Sequence, residues 1–331
     1  MKRIATLLIF TLAIAFNAVG QDFNIRVVNE MRMPISYAII TIEGVPRAVT
    51  DIDGVVNIDF RRIRPEYKLA AHAVGYQTFE QEVGTEAMQS GEIEYILKIN
   101  DGIIADTNVD RTSDQARAMF EECAGESTAM DFNCKMTAHF DFDYMKFHSE
   151  GTIEAENLVD SKELAYFRSE GWFHLPIQRN ATEDSAQSTF HKLDESLHYA
   201  LSELNFAVAA IGHNRHFYKY RPDYALLGQS TDGQTQYYRI SFPMLASKAT
   251  QIIATVDVAT KCVTAVSTII YDRNTSILKQ IDADLCAFLP TKKSKIPALC
   301  PTRLTYDYKT KYADLDLLLD QIEITPTEKK R

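Results

Sequence analysis

His213-Asn214-Arg215-His216 places two imidazoles three residues apart. Two nitrogen ligands do not close a zinc site, and no cysteine or acid pair nearby completes one, so these read as loop histidines. His191 and His198 could share a helix face, but His191 is expected to precede the helix. Asp51 and Asp53 stand before Gly54. A calcium loop needs a further oxygen ligand and a later Glu, and position 55 is Val, so the pair reads as a turn whose carboxylates satisfy backbone amides. The chain has five cysteines. Cys123 and Cys134 both fall on apolar faces, so a helix-to-strand disulfide is geometrically open to them. Cys286 and Cys300 flank a Lys- and Pro-rich loop that a disulfide would clip, for ~3 kcal/mol in the chain-entropy model. Cys262 is left over, and five buried thiols are the alternative. No Gly-x-Ser-x-Gly, His-Glu-x-x-His, phosphate loop or dinucleotide fingerprint occurs. The expectation is therefore no catalytic residue, no metal ligand and no cofactor.

The ends and the charge bound the setting. Met1-Lys2-Arg3 is basic, Ile4 to Phe16 is almost continuously apolar, and Ala18-Val19-Gly20 is a small-x-small cleavage site. Residues 1–20 read as a signal peptide with Gln21 the first mature residue. The apolar run is shorter than the ~20 residues a spanning helix needs, and no later run approaches that length. Export to the periplasm, outer membrane or cell surface is expected, with no transmembrane span in the mature chain. The net charge of −10 argues against nucleic acid, which requires a basic surface to neutralise phosphates. The basic clusters at Arg61-Arg62-Ile63-Arg64, Lys292-Lys293-Ser294-Lys295 and Lys329-Lys330-Arg331 read as solvated loops and a tail.

The length suits two domains with proper cores. In the first, at 21–100, Phe23, Ile25 and Val27 recur at every second position, as do Val56, Ile58 and Phe60, and Ile93, Tyr95, Leu97 and Ile99. Period two means strands with one buried face, and the turn residues between them space the strands for a small sandwich of the seven-strand type. Residues 23–99 also carry Pro34-Ile35-Ser36-Tyr37-Ala38, Thr50-Asp51-Ile52-Asp53-Gly54 and Val74-Gly75-Tyr76. In order and spacing these resemble the carboxypeptidase regulatory-like domain, a transthyretin-like β-sandwich. One departure is Met33, where that family often has Gly. The resemblance implies a non-catalytic module, common in exported proteins and outer-membrane receptors of Gram-negative bacteria.

Residues 101–112 are polar and aperiodic and read as a linker. Thr112 to Gln115 resembles a capping box, followed by Ala116, Met119, Phe120 and Cys123 at helical spacing. From Met130 to Tyr144 every even position is apolar and every odd one polar. Such a one-faced strand suits a curved antiparallel sheet. Its apolar side (Met130, Phe132, Met136, Phe140 and Phe142) lines either an apolar groove or a filled core. Further strands are expected at Gly151–Asn157, Leu164–Arg168 and Trp172–Leu175. A helix is expected from near Asp194 through Leu197, Leu201, Leu204, Val208 and Ile211. Hairpins are expected around Thr231-Asp232-Gly233-Gln234 and Val258-Ala259-Thr260-Lys261, with Leu304, Tyr306 and Tyr308 in a closing strand. The fold class is thus mainly β, a sandwich followed by an α+β domain at 113–325 with a curved antiparallel half-barrel sheet and two or more helices. A tail follows at 326–331. This layout, with the turn at Thr255-Val256-Asp257-Val258-Ala259-Thr260-Lys261-Cys262-Val263, is similar to the lipoprotein-carrier (LolA-like) half-barrel. The resemblance implies an apolar groove between sheet and helices that takes acyl chains.

The function expected from these readings is a non-enzymatic envelope protein. It has a sandwich module and a domain binding an apolar lipid or acyl ligand or an envelope protein. The alternatives are a surface interaction or adhesion module and a cryptic hydrolase.

Overall fold

The structure is a computed structural model, and it describes residues 22–59, 63–106, 111–124, 133–145, 147–158, 187–211, 221–245, 248–272, 277–288, 298–309 and 314–326. The chain divides into two compact units, with the boundary between Ile99 and Asn100. Residues 1–20, read above as a signal peptide, the strands expected at 164–168 and 172–175, His213, His216, Met130 and Phe132 lie outside the described residues.

Among the described residues the first unit has seven strands: β1 (Asp22–Asn29), β2 (Ile39–Ile42), β3 (Val45–Val49), β4 (Val55–Asp59), β5 (Lys68–His72), β6 (Phe79–Glu82) and β7 (Glu92–Leu97). They form a three-stranded sheet in the order β4-β1-β7 and a four-stranded sheet in the order β3-β2-β5-β6. Phe23, Ile25 and Val27 from the first sheet share a core with Ile40, Leu69 and Ala71 from the second, as the period-two spacing requires. Tyr95 on β7 is fully buried, and its hydroxyl donates to the Leu69 carbonyl across the sandwich (3.2 Å). A short helix that the sequence reading missed, α1 (Thr85–Ser90), ends where Gly91 turns left-handed and returns its N–H to the Ala87 carbonyl.

The second unit is built on one ten-stranded antiparallel sheet. Its strands are β8 (Ile103–Ala105), β9 (Asn133–Tyr144), β10 (Phe147–Leu158), β11 (Asp223–Ser230), β12 (Thr235–Leu245), β13 (Lys248–Asp257), β14 (Cys262–Asp272), β15 (Ile277–Phe288), β16 (Ala298–Lys309) and β17 (Asp314–Pro326). Their order is β10-β9-β17-β16-β15-β14-β13-β12-β11-β8, an open curved sheet with β10 and β8 at its edges. Two helices, α2 (Ser113–Ala124) and α3 (Gln187–Ile211), cover one face. α2 packs on β11, β13 and β14, while α3 packs on β9, β14, β15 and β16.

Several expectations need correction. The stretch read as a linker contains β8, which pairs with β11 through Ile103↔Ser230 and Ala105↔Gly228. Gly228 makes this possible, because a Cβ there would stand 2.6 Å from the Ile104 carbonyl oxygen. The middle helix already runs from Gln187, before Asp194, and Leu193 extends its buried stripe one turn back from Leu197. His191 therefore lies inside the helix. β16 does not close the sheet. β17 follows it and inserts between β16 and β9, so the last strand returns to the first long one.

The start of α2 follows the sequence closely. The Gln115 N–H donates to Thr112 Oγ1 (3.3 Å), and the Thr112 N–H donates to Gln115 Oε1 (2.9 Å). This reciprocal pair satisfies two amides that a helix start leaves open. Thr112→Ala should therefore cost about 1 kcal/mol, read as a lower urea midpoint at unchanged slope.

Candidate functional site

The candidate site is the helix-covered face of the second unit and its border. Period-two alternation places Met136, Ala138, Phe140 and Phe142 of β9 on this face, all buried. Neighbouring strands add Leu315, Leu317 and Leu319 from β17, Tyr306 and Leu304 from β16, and Ile281 and Ala283 from β15. α3 meets them with Leu193, Leu197, Leu201, Leu204 and Val208, at the spacing of one helix face. Aromatic edges interlock the layers. Phe206 on α3 lies edge-on to Phe242 on β12 (5.3 Å between centroids), and Phe120 on α2 lies edge-on to Tyr238 (5.2 Å). Of the expected groove residues, Met136, Phe140 and Phe142 thus come together, covered by helix and closely packed.

The border of this face has different chemistry. Tyr199 on α3 and Tyr306 on β16 are 5.4 Å apart, centroid to centroid. The ammonium of Lys279 on β15 stands over the Tyr199 ring, 3.4 Å from its centroid, and lies 5.8 Å from the centroid of Tyr306 and 5.6 Å from that of Tyr308. Burial pushes the Tyr306 phenol well above its ordinary range, and Tyr308, Glu195 and Glu203 add to the shift. On the same helix, Lys192 pairs with Glu195 (2.6 Å), and that bond holds its ammonium above its ordinary value. The sequence reading placed Tyr306 and Tyr308 on a strand but saw no link to Lys279 or Tyr199.

At the far side of the face, Cys123 lies in the last turn of α2. Its thiol donates to Gln236 Oε1 on β12 (3.3 Å), which also accepts from the Tyr238 hydroxyl (2.6 Å). Burial raises the Tyr238 phenol, and the neighbouring Cys123 adds to the shift. Cys134 lies on β9, with five strands between it and β12. Cys286 and Cys300 are register partners on β15 and β16, yet no disulfide joins them in the structure. Cys286 is exposed and Cys300 buried, and a bulge lies beside the pair at Asp284/Leu285.

The opposite face is polar. A depression of about 190 Å³ is lined by Thr255, Ser267, Asp282, Asp284, Arg303 and Thr305, among others. Burial raises the Asp282 carboxyl, and Asp284 adds to the shift, while hydrogen bonds to Ser267 and Gln280 oppose it. The folded chain then binds more protons than the unfolded one between the ordinary value and the raised one. Stability therefore falls as pH rises through that window. Asp282→Asn should be more stable than the wild type at neutral pH, with the difference closing below about pH 4. Urea midpoints on both sides of the window check this.

Farther along the polar face, His148 Nδ1 lies 3.1 Å from Asp143 Oδ1 and 3.4 Å from Asp141 Oδ1. All three groups are substantially exposed, with their candidate ligand atoms within 4.8 Å of one another. In the first unit, Asp51 serves its turn. Its Oδ1 accepts from the backbone N–H groups of Asp53 (3.0 Å) and Val55 (2.9 Å). Among the described residues no helix is long and apolar enough to cross a membrane.

No protein-family model matches the chain, and no curated protein matches it. Among solved structures, a DUF1329 family protein from Desulfovibrio piger aligns at 11% identity and a TM-score of 0.35, covering 65% of this chain and 93% of that one. A LolA superfamily protein from Nitrosomonas europaea aligns at 12% identity and 0.32, covering 66% and 95%. An outer membrane lipoprotein-sorting protein domain from Vibrio parahaemolyticus aligns at 9% and 0.35, covering 67% and 96%. Likeness at this level assigns neither family nor activity.

Proposed function

We propose that this chain is an exported, non-enzymatic protein of the cell envelope whose second unit takes an apolar ligand of the acyl-chain class between its sheet and α3. The observation that carries the reading is the way the ten-stranded sheet is covered. Over β9 and β14–β16 the cover is α3, held by side-chain packing with Leu193, Leu197, Leu201 and Leu204. Displacing one helix would expose a continuous apolar surface of Phe, Leu and Ile side chains, and an acyl chain can replace the helix's apolar contacts atom for atom. The basic, apolar and small-residue succession at the N-terminus supports export. In this reading the sandwich unit is a spacer or docking module, in keeping with the motifs at Thr50 to Gly54 and Val74 to Tyr76.

Titration of the purified protein with a fluorescent fatty acid tests this. Saturable binding at one or a few sites, with a blue-shifted emission that unlabelled fatty acid reverses, is expected. Hydrogen exchange should show α3 amides opening more readily than those of β14–β16. Emission that stays at its aqueous value throughout would end the proposal.

A further inference from the structure

We infer that Tyr199, Tyr306 and Tyr308 form a cation subsite for the alkylammonium headgroup of a lipid, filled in this structure by the protein's own Lys279. Three rings from two elements lie near one ammonium, which sits over Tyr199, each centroid within 6 Å of Nζ. That is the range in which the negative face of an aromatic ring attracts a cation, and clustered rings are how proteins recognise quaternary ammonium groups. Around the rings the charges are mixed: the carboxylates of Glu195 and Glu203 act on the Tyr306 phenol, and Lys192 pairs with Glu195 (2.6 Å). The position of the site suits a headgroup. Tyr306 is buried in the apolar face, while Lys279 and Tyr308 are half-buried at its border. A tail lying against Leu317 and Ile281 would therefore bring a cationic head to the cage. The headgroup assignment rests on the acyl-ligand reading, but the cage itself does not.

Lys279 acts in this scheme as an internal competitor. Its ammonium holds Tyr199, and with it α3, against β16 until an external cation takes its place. Vacating the cage should then raise affinity for a soluble cation. The test is Lys279→Ala, titrated with choline and followed by tyrosine fluorescence. The variant should bind choline at least about tenfold more tightly than the wild type, a ratio within the range of a partly desolvated cation–π contact. Lys279→Arg, which refills the cage, should show no gain, and Lys279→Ala combined with Tyr199→Ala should lose it. A Lys279→Ala protein that binds choline no better than the wild type overturns the inference. If that variant fails to fold, the wild type serves. Ring currents shift the Lys279 ε-methylene protons upfield, and excess choline should return them toward their solution position, whereas no movement overturns the cage.

Dodecylphosphocholine separates a lipid head from a free quaternary ammonium ion. Tighter binding than choline supports the headgroup, and equal affinity overturns that assignment. Loss of fatty-acid binding with choline binding intact would strike the acyl reading while leaving the cage.

Discussion

Phe140→Ala should destabilise the second unit by about 3–5 kcal/mol, read as a fall in urea midpoint for its unfolding transition. The ring is fully buried on β9, between the register partners Gly151 on β10 and Leu319 on β17. Gly151 brings no side chain to fill the space left by the ring. Truncation therefore leaves a cavity whose lining loses its contacts outright, on top of the lost transfer free energy. Ligand binding gives the prediction a second reading. A fatty acid at 100 times its Kd should return about 2.7 kcal/mol to wild type and variant alike. A larger recovery in the variant would place the acyl chain in the space of the Phe140 ring itself.

Gly54→Ala should cost the sandwich unit about 3 kcal/mol or more. Gly54 has φ +70°, and a Cβ there would stand 2.6 Å from the Val27 carbonyl oxygen and 3.0 Å from the Ile35 nitrogen. Neither atom can withdraw cheaply. The Ile35 N–H donates to that same Val27 oxygen (2.9 Å), and the Val27 N–H donates to the Gly54 carbonyl (2.8 Å). Gly44 supplies the control. Its φ is +73°, but nothing lies within 4 Å of a Cβ there, so Gly44→Ala should cost only the left-handed backbone term, about 1 kcal/mol. Equal effects at the two glycines would mean that the Asp51–Gly54 turn does not pack on β1 as the structure shows.

The residues differ sharply in how legible they were. β9 was plain because its even positions are apolar without a break, and Met136, Ala138, Phe140 and Phe142 are all buried. The α2 start was plain because Thr112 and Gln115 have little else to do at that spacing. β15 and β17 were missed although both alternate. In β17 the run Leu317-Leu318-Leu319 interrupts the alternation, and Gln321 has a positive φ. The ammonium cage was not legible at all. Lys279, Tyr306 and Tyr199 come from β15, β16 and α3, and only sheet register and the seating of the helix bring them together. Cys286 and Cys300 show the opposite error. Sequence proximity to one loop placed them together correctly, but Cys286 is exposed, Cys300 is buried and no disulfide joins them.

Native mass spectrometry of the full chain purified from the envelope tests the ligand reading most directly. An acyl-binding interior predicts a mass in excess of the bare polypeptide. Organic extraction should remove that excess, and the extract should contain lipid in near-stoichiometric amount. A spectrum showing only the bare chain, both as purified and after incubation with fatty acid or phospholipid, would contradict it and leave the helix-covered face as a filled core.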